Sequence, residues 1–347
     1  MKAVRIHEHG STDVLRWEEI QKIECPQNKI RVKIKAAALN HLDIWIRNGL
    51  PGFSLPLPLI MGSDGAGIIT EVGSQINDFK PGDEIVVQPN RFCGQCDACV
   101  RGQENYCQQY GILGETENGV QASEVILDPI NIYSKPHHLT FEEAASMPLV
   151  FLTAYQMIVK RAQLQSGETM LVYGATSGVG SAAIQIGKFL HANVIATVGD
   201  NKKVKHAEKM GADLVINHHQ EDWYKLLKGK EINVIFEHIG PATWAYSMRL
   251  LAKGGRLVTC GATTGPKVEI DLRHLFSKQQ SILGSTMSDL NTFREVLDLI
   301  HVGHFFPFVD KIFPFSQVIQ AHQRMERREQ FGKIVLSSNA QDLTYNV

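Results

Sequence analysis

Four cysteines fall inside fifteen residues. Cys93, Cys96, Cys99 and Cys107 follow the spacing C-x2-C-x2-C-x7-C, and the rest of the chain holds only Cys25 and Cys260. Thiolates this close read as metal ligands. Four of them complete a tetrahedral zinc site and leave no open position, so the metal holds a loop in shape and cannot bind substrate. An iron–sulfur cluster is the other reading of the opening C-x2-C-x2-C. Ferredoxin-type runs continue x3-C-P, whereas this one continues x7-C-Q.

A second stretch points to a nucleotide. In VYGATSGVGSAAIQIGKF the run Gly174, Ala175, Thr176, Ser177, Gly178, Val179, Gly180 lies where an apolar strand gives way to a helix. Glycines there let backbone N–H groups approach a pyrophosphate at the helix N-terminus. A tight strand–helix turn needs glycine too. The strand before, the helix after and the repeating units downstream favour the dinucleotide. An acid at the end of the next strand would hold a ribose 2′-OH and select NAD. The chain reads V-I-A-T-V-G-D-N-K-K. If the strand stops at Val198, Lys202 or Lys203 lies near a 2′-phosphate; if it runs to Asp200, NAD is favoured. Gly199 and the lysines favour NADP(H) and leave NAD open. A solvated helix start is the other reading of the lysines.

The elements that must position these residues fall into two textures. Residues 1 to about 130 carry short β-branched runs, KAVRI, KIRVKIKAAAL, GAGIITEVG and DEIVVQP, broken by turns such as KPGD. The cysteine stretch is an excursion from that β-rich module. FEEAASMPLVFLTAYQMIVKRA then shows helical spacing after Thr140. Strands and helices alternate from ETMLVYGA onward, which implies a parallel, doubly wound sheet. The tail after about 287 holds two helices, NTFREVLDLIHVG and FSQVIQAHQRMERR, and a closing strand KIVLSS.

Composition narrows the function classes. The 347 residues suggest two domains, or one inserted in another. With 35 basic and 36 acidic residues, nothing suggests nucleic acid or an anionic membrane as partner. No apolar run reaches the roughly 18 residues that span a bilayer. MKAVRIHEHG lacks the apolar core of a secretory signal. The expected address is the cytoplasm, where clustered cysteines serve as ligands more than as disulfides.

MKAVRI, AAALNHLD, LPLIMGSDGAGIITEVG, FKPGDEIVV, the four-cysteine loop, FLTAY, GATSGVG and MGADLVIN occur in this order. Together they resemble the medium-chain dehydrogenase/reductase superfamily, which includes zinc alcohol dehydrogenases and zinc-free quinone oxidoreductases. The resemblance implies an α/β chain in which a GroES-like β-rich catalytic domain is interrupted by a Rossmann domain. The domains are expected at 1–149, with a zinc lobe at about 91–110, at 150–286, and at 287–347, where the chain returns to the catalytic domain. It implies one structural zinc on the four cysteines, and a homodimer or homotetramer.

The family's second, catalytic zinc is not matched. Its three ligand positions hold Asn40, Ser63 and Leu149, and His41 stands where the family has no ligand. Zinc can lower a bound hydroxyl's pKa from about 16 to about 7, roughly 12 kcal/mol of help at about 1.36 kcal/mol per unit. Asn40 and a few hydrogen bonds supply about 3–4 kcal/mol. The chemistry this implies is hydride transfer to a small-molecule quinone or α,β-unsaturated carbonyl, in the zinc-free branch that N-H-L-D-I-W-I-R-N-G resembles. Asn40 is the expected donor to the substrate oxygen. Asp43 orients neighbours, Trp45 walls the pocket, and Asp64 relays a proton or holds its loop. Thr153 matches a position beside the nicotinamide. The backbone at Gly178 and Val179 meets the pyrophosphate, His218 lies near the adenosine phosphate, and Lys333 matches a basic position approaching the cofactor. Gly240, Gly261 and Thr263 follow later strand ends, the ligand-binding edge of such sheets. Two other readings stand beside this one: a zinc alcohol dehydrogenase with atypical ligands, and a nucleotide-binding protein without turnover.

Overall fold

Ile30–Ala38, buried along most of its length, is the central strand of a seven-stranded sheet. Ile30, Val32 and Ile34 point into the core, which Ile334 and Leu336 complete from the far end of the chain. In the computed structural model, which describes residues 1–340 except Pro51, Phe53 and Glu221, the chain divides into two compact units. One joins Met1–Leu149 to Asp289–Val347, and the other is Val150–Ser288.

The first unit is the GroES-like module. Ile30–Ala38 pairs antiparallel with Asp64–Val72 on one side and with Lys333–Ser337 on the other. Val309–Pro314 then pairs parallel to Lys333–Ser337. A smaller three-stranded sheet sets Lys2–Ile6 between Arg16–Glu19 and Leu59–Ile60.

The second unit is a Rossmann fold. Its six strands are all parallel. In spatial order they are Leu214–Asn217, Asn193–Val198, Thr169–Val172, Ile232–Glu237, Leu251–Thr259 and Ser281–Gly284. Numbered along the chain this is 3-2-1-4-5-6, the doubly wound order that reverses beside the first strand and opens a ligand crevice there. Leu171, Ile195, Ile235 and Leu257 build its core with Trp223 and Trp244.

Two local expectations change. FEEAASMPLVFLTAYQMIVKRA is not one helix: Phe141–Ala145 stops at Ser146, Pro148–Tyr155 follows, and Gln156–Arg161 continues as π-helix. Proline lacks the N–H that a continuous helix needs, but suits a helix start. The cysteine stretch is not all loop, since it contains the short helix Asp97–Val100 and the turn Glu104–Tyr106. Among the described residues, no helix is long and apolar enough to cross a membrane.

Candidate active site and zinc lobe

Cys96 caps the helix Asp97–Val100, which carries Cys99, and Cys107 closes the turn Glu104–Tyr106. These short elements turn the chain back on itself, so the four sulfurs lie within 4.8 Å of one another. Sγ–Sγ separations are 3.5 Å for Cys96–Cys99, 3.6 Å for Cys107–Cys93 and 3.9 Å for Cys93–Cys99. Tetrahedral zinc with Zn–S of about 2.3 Å requires sulfurs about 3.8 Å apart, so the cluster fits that ion. Backbone N–H groups already face the sulfurs: Cys96 N donates to Cys93 Sγ at 3.3 Å and Gln109 N to Cys107 Sγ at 3.3 Å. The N–H groups of Gln95 and Cys96 hold the Cys93 thiol down to about 6. Among the described residues this is the one group of His, Cys, Asp and Glu side chains whose ligand atoms converge as a metal site.

A second cluster lies at one end of the seven-stranded sheet. Ala38 pairs with Asp64 and, on its other side, with Val335. That register brings Asn40, Asp64 and Lys333 together from three separate parts of the first unit. Asn40 leaves the strand in extended conformation and starts the helix His41–Asn48. Its backbone N–H donates to Asp43 Oδ2 at 2.7 Å, which pins the first turn. Its side-chain Nδ2 donates to Asp64 Oδ2 at 2.9 Å. Lys333 Nζ donates to the same Asp64 oxygen at 3.0 Å and to Asn40 Oδ1. Asp64 Oδ1 accepts from Leu149 N at 2.9 Å.

All four side chains are buried: Asn40 is 5% exposed, Asp43 1%, Asp64 0% and Lys333 4%. Burial pushes the Asp43 carboxyl up to about 7, outweighing the Asn40 N–H that favours its charged form. Ser63 is buried as well, and its Oγ finds no partner among the described residues. Trp45 is half-buried and meets the exposed His41 ring edge-on at 5.1 Å. The three positions Asn40, Ser63 and Leu149 carry an amide, a hydroxyl and a leucine, and the Asp64 carboxylate next to Asn40 is taken by the Lys333 ammonium. This set does not fit a three-ligand zinc site.

In the second unit the glycine turn joins Thr169–Val172 to the helix Gly178–Phe189. Ser177 caps that helix, accepting from Gly180 N at 3.0 Å. A Cβ on Gly180 would lie 2.2 Å from Gly174 O, so that position admits only glycine. Asn193–Val198 ends at Val198, and Asp200 instead caps the turn Asn201–Lys203, accepting from Lys202 N at 2.9 Å. His218, Gly240, Gly261 and Thr263 all follow C-terminal strand ends, as Gly174 does.

Residues 26–137 match the family described as the alcohol dehydrogenase GroES-like domain, and residues 178–301 match the one described as zinc-binding dehydrogenase. Quinone oxidoreductase 1 of Escherichia coli strain K12 is 31% identical, over 96% of this chain and 98% of its own. Crotonyl-CoA carboxylase/reductase of Cereibacter sphaeroides is 30% identical, over 94% of this chain and 84% of its own. A solved NAD-dependent alcohol dehydrogenase superposes with a TM-score of 0.93 at 39% identity, covering 97% of this chain and 99% of that one. The chain belongs to the medium-chain dehydrogenase/reductase superfamily.

It is therefore an oxidoreductase built around a nicotinamide cofactor. Two features of this oxidoreductase are not carried by its sequence motifs. Lys333 joins Asn40 and Asp64 in the first unit. His238, which no motif singles out, lies against the glycine turn: its Nε2 is 2.9 Å from Tyr173 O, and a Cβ on Gly174 would lie 3.2 Å from its ring. Burial lowers the His238 pKa and so favours the neutral imidazole, and Thr263 Oγ1 donates to the His238 carbonyl at 2.9 Å. Its signal in the sequence is its place directly after the strand Ile232–Glu237.

Proposed function

We propose that this oxidoreductase uses NADPH to reduce a quinone or an α,β-unsaturated carbonyl, with no catalytic zinc and with one structural zinc on Cys93, Cys96, Cys99 and Cys107. The observation that carries the reading is the Asn40–Asp64–Lys333 cluster, where a metal-dependent alcohol dehydrogenase would need three ligands. Without a Lewis acid, an acceptor must need little polarisation. A quinone gains aromaticity on reduction, and an enone spreads the new charge into an enolate. The names of two relatives, quinone oxidoreductase and crotonyl-CoA carboxylase/reductase, fit those two acceptor classes.

The reduced nicotinamide, when bound, supplies the hydride. The turn at 174–180 and its helix N-terminus hold the pyrophosphate by backbone N–H groups. The end of Asn193–Val198 at Val198, with Lys202 exposed just beyond it, supports the 2′-phosphate of NADPH. Thr153, His218, Gly240, Gly261 and Thr263 line the rest of the cofactor site. Asn40 donates an amide hydrogen to the acceptor oxygen as charge develops there. Asp64 positions that amide, and Asp43, with its carboxyl near neutrality, holds a proton behind it. Trp45 walls the acceptor pocket. The working unit is a homodimer or homotetramer.

A second reading, zinc-dependent alcohol oxidation with atypical ligands, is favoured by the alcohol dehydrogenase at 39% identity. One experiment separates the two. NADPH and NADH oxidation is followed against quinones, enones, aldehydes and alcohols, with metal content measured on the same protein. Turnover of quinones or enones at one zinc per chain supports the proposal. Alcohol turnover at two zincs per chain defeats it.

A further inference from the structure

A cation of the chain's own, Lys333, stands against Asn40 and Asp64. An ammonium only donates hydrogen bonds and a carboxylate only accepts them. Lys333 Nζ must therefore face Asn40 Oδ1, and Asp64 Oδ2 must face Asn40 Nδ2, as they do. The amide is locked, because a half-turn about its last bond would set N–H against ammonium and C=O against carboxylate. Among the described residues Nδ2 donates one hydrogen bond, to Asp64, and an amide nitrogen carries two hydrogens. One N–H remains for a ligand.

We propose that Lys333 is a positioning residue for the reduction: it locks Asn40 with its second amide hydrogen toward the acceptor oxygen, and through Oδ1 it strengthens that hydrogen as a donor. The inference rests on the reductase reading above. A cation at an amide oxygen draws electron density from the nitrogen, and hydrogen bonds in such a chain polarise one another. The benefit is largest as charge accumulates on the acceptor, which is where a fixed donor lowers a barrier. Lys333 gains and loses no proton in this role. The family resemblance instead gives its position to the cofactor. That role requires an ammonium free to reach a phosphate, whereas this one is buried on a carboxylate that Leu149 N and Asn40 also hold.

The test is Lys333→Met in the full chain, assayed with NADPH and an acceptor that the wild type reduces. If the uncompensated Asp64 prevents folding, Lys333→Met/Asp64→Asn compared with Asp64→Asn alone carries the same test. The expected result is a kcat about tenfold or more lower, with KM for NADPH within about twofold of wild type. In the Asn40→Ala background, Lys333→Met should then lower kcat by less than about twofold further, since Lys333 acts only through Asn40 and residues acting as one unit are not additive. A raised KM for NADPH at unchanged kcat overturns the proposal in favour of a cofactor anchor. Multiplicative losses overturn it as well, because Lys333 would then act independently of Asn40. The side-chain amide protons of Asn40, followed by NMR in nitrogen-15-labelled protein, give a readout without turnover. They should move upfield when Lys333 is replaced, and unchanged resonances would refute the contact. If the wild type reduces no acceptor, the reductase reading fails while those resonances still decide the role of Lys333.

Discussion

Asn40 and Asp43 sit three residues apart and are asked for different things. Asn40→Ala should lower kcat about 100-fold or more, the usual loss for one oxyanion donor. A variant within about threefold of wild type would make Asn40 only a helix start. Asp43 makes a claim about stability. Its carboxyl is raised from 3.8 to about 7, so between those values the folded protein holds a proton that the unfolded chain has released. Stability must then fall as pH rises through that window and level off above it. Urea midpoints from pH 4 to 8 should show the decline, and Asp43→Asn should flatten it. An equal slope in the variant would assign the effect elsewhere. For the cofactor, Lys202→Ala/Lys203→Ala should weaken NADPH and leave NADH nearly unchanged, measured as two dissociation constants. Asn40, Asp43 and Asp64 can be picked out because N-H-L-D and G-S-D are continuous words in the sequence. The link from Asp64 to Lys333 cannot, because it spans 269 residues and depends on sheet register.

The strand–helix turn at 174–180 is the element on which nucleotide binding depends. Ser177→Ala removes an N-cap and should cost about 1 kcal/mol, seen as a small fall in Tm. Gly180→Ala is harsher, since its Cβ would meet Gly174 O at 2.2 Å. Calorimetric titration should show nucleotide binding lost in Gly180→Ala and kept in Ser177→Ala. Similar losses in both would point to general destabilisation. Parallel strands buried on both faces read as plain apolar runs, which is why NVIFE and RLVT stand out. The break between Phe141–Ala145 and Pro148–Tyr155 is harder to read. Apolar spacing continues through Ser146 and Met147, and only the missing N–H of Pro148 interrupts the run. The helix Pro241–Leu250 escapes too, because PATWAYSMRL opens on Pro and mixes aromatic with polar residues all round.

At the scale of the whole molecule, the zinc lobe is a separate wager from the chemistry. Purified protein should be colourless and hold close to one zinc per chain by elemental analysis. Cys99→Ser should lose that zinc and lower Tm, because metal binding is coupled to the order of its ligand loop. Nucleotide binding by the protein that stays folded should persist, since the turn at 174–180 belongs to the other unit. Two zincs, or an iron–sulfur absorption band, would refute this. The order in which the chain is made gives the buried ion pair another meaning. Asp64 leaves the ribosome early, and Lys333 follows only after the whole of Val150–Ser288. Until then the central strand Ile30–Ala38 lacks its neighbour Lys333–Ser337, and the carboxylate lacks its cation. The nascent chain therefore carries an open sheet edge and an unmatched charge through most of its synthesis. A chain cut short before residue 333 would keep that edge open, and an open edge is a template for pairing with another chain.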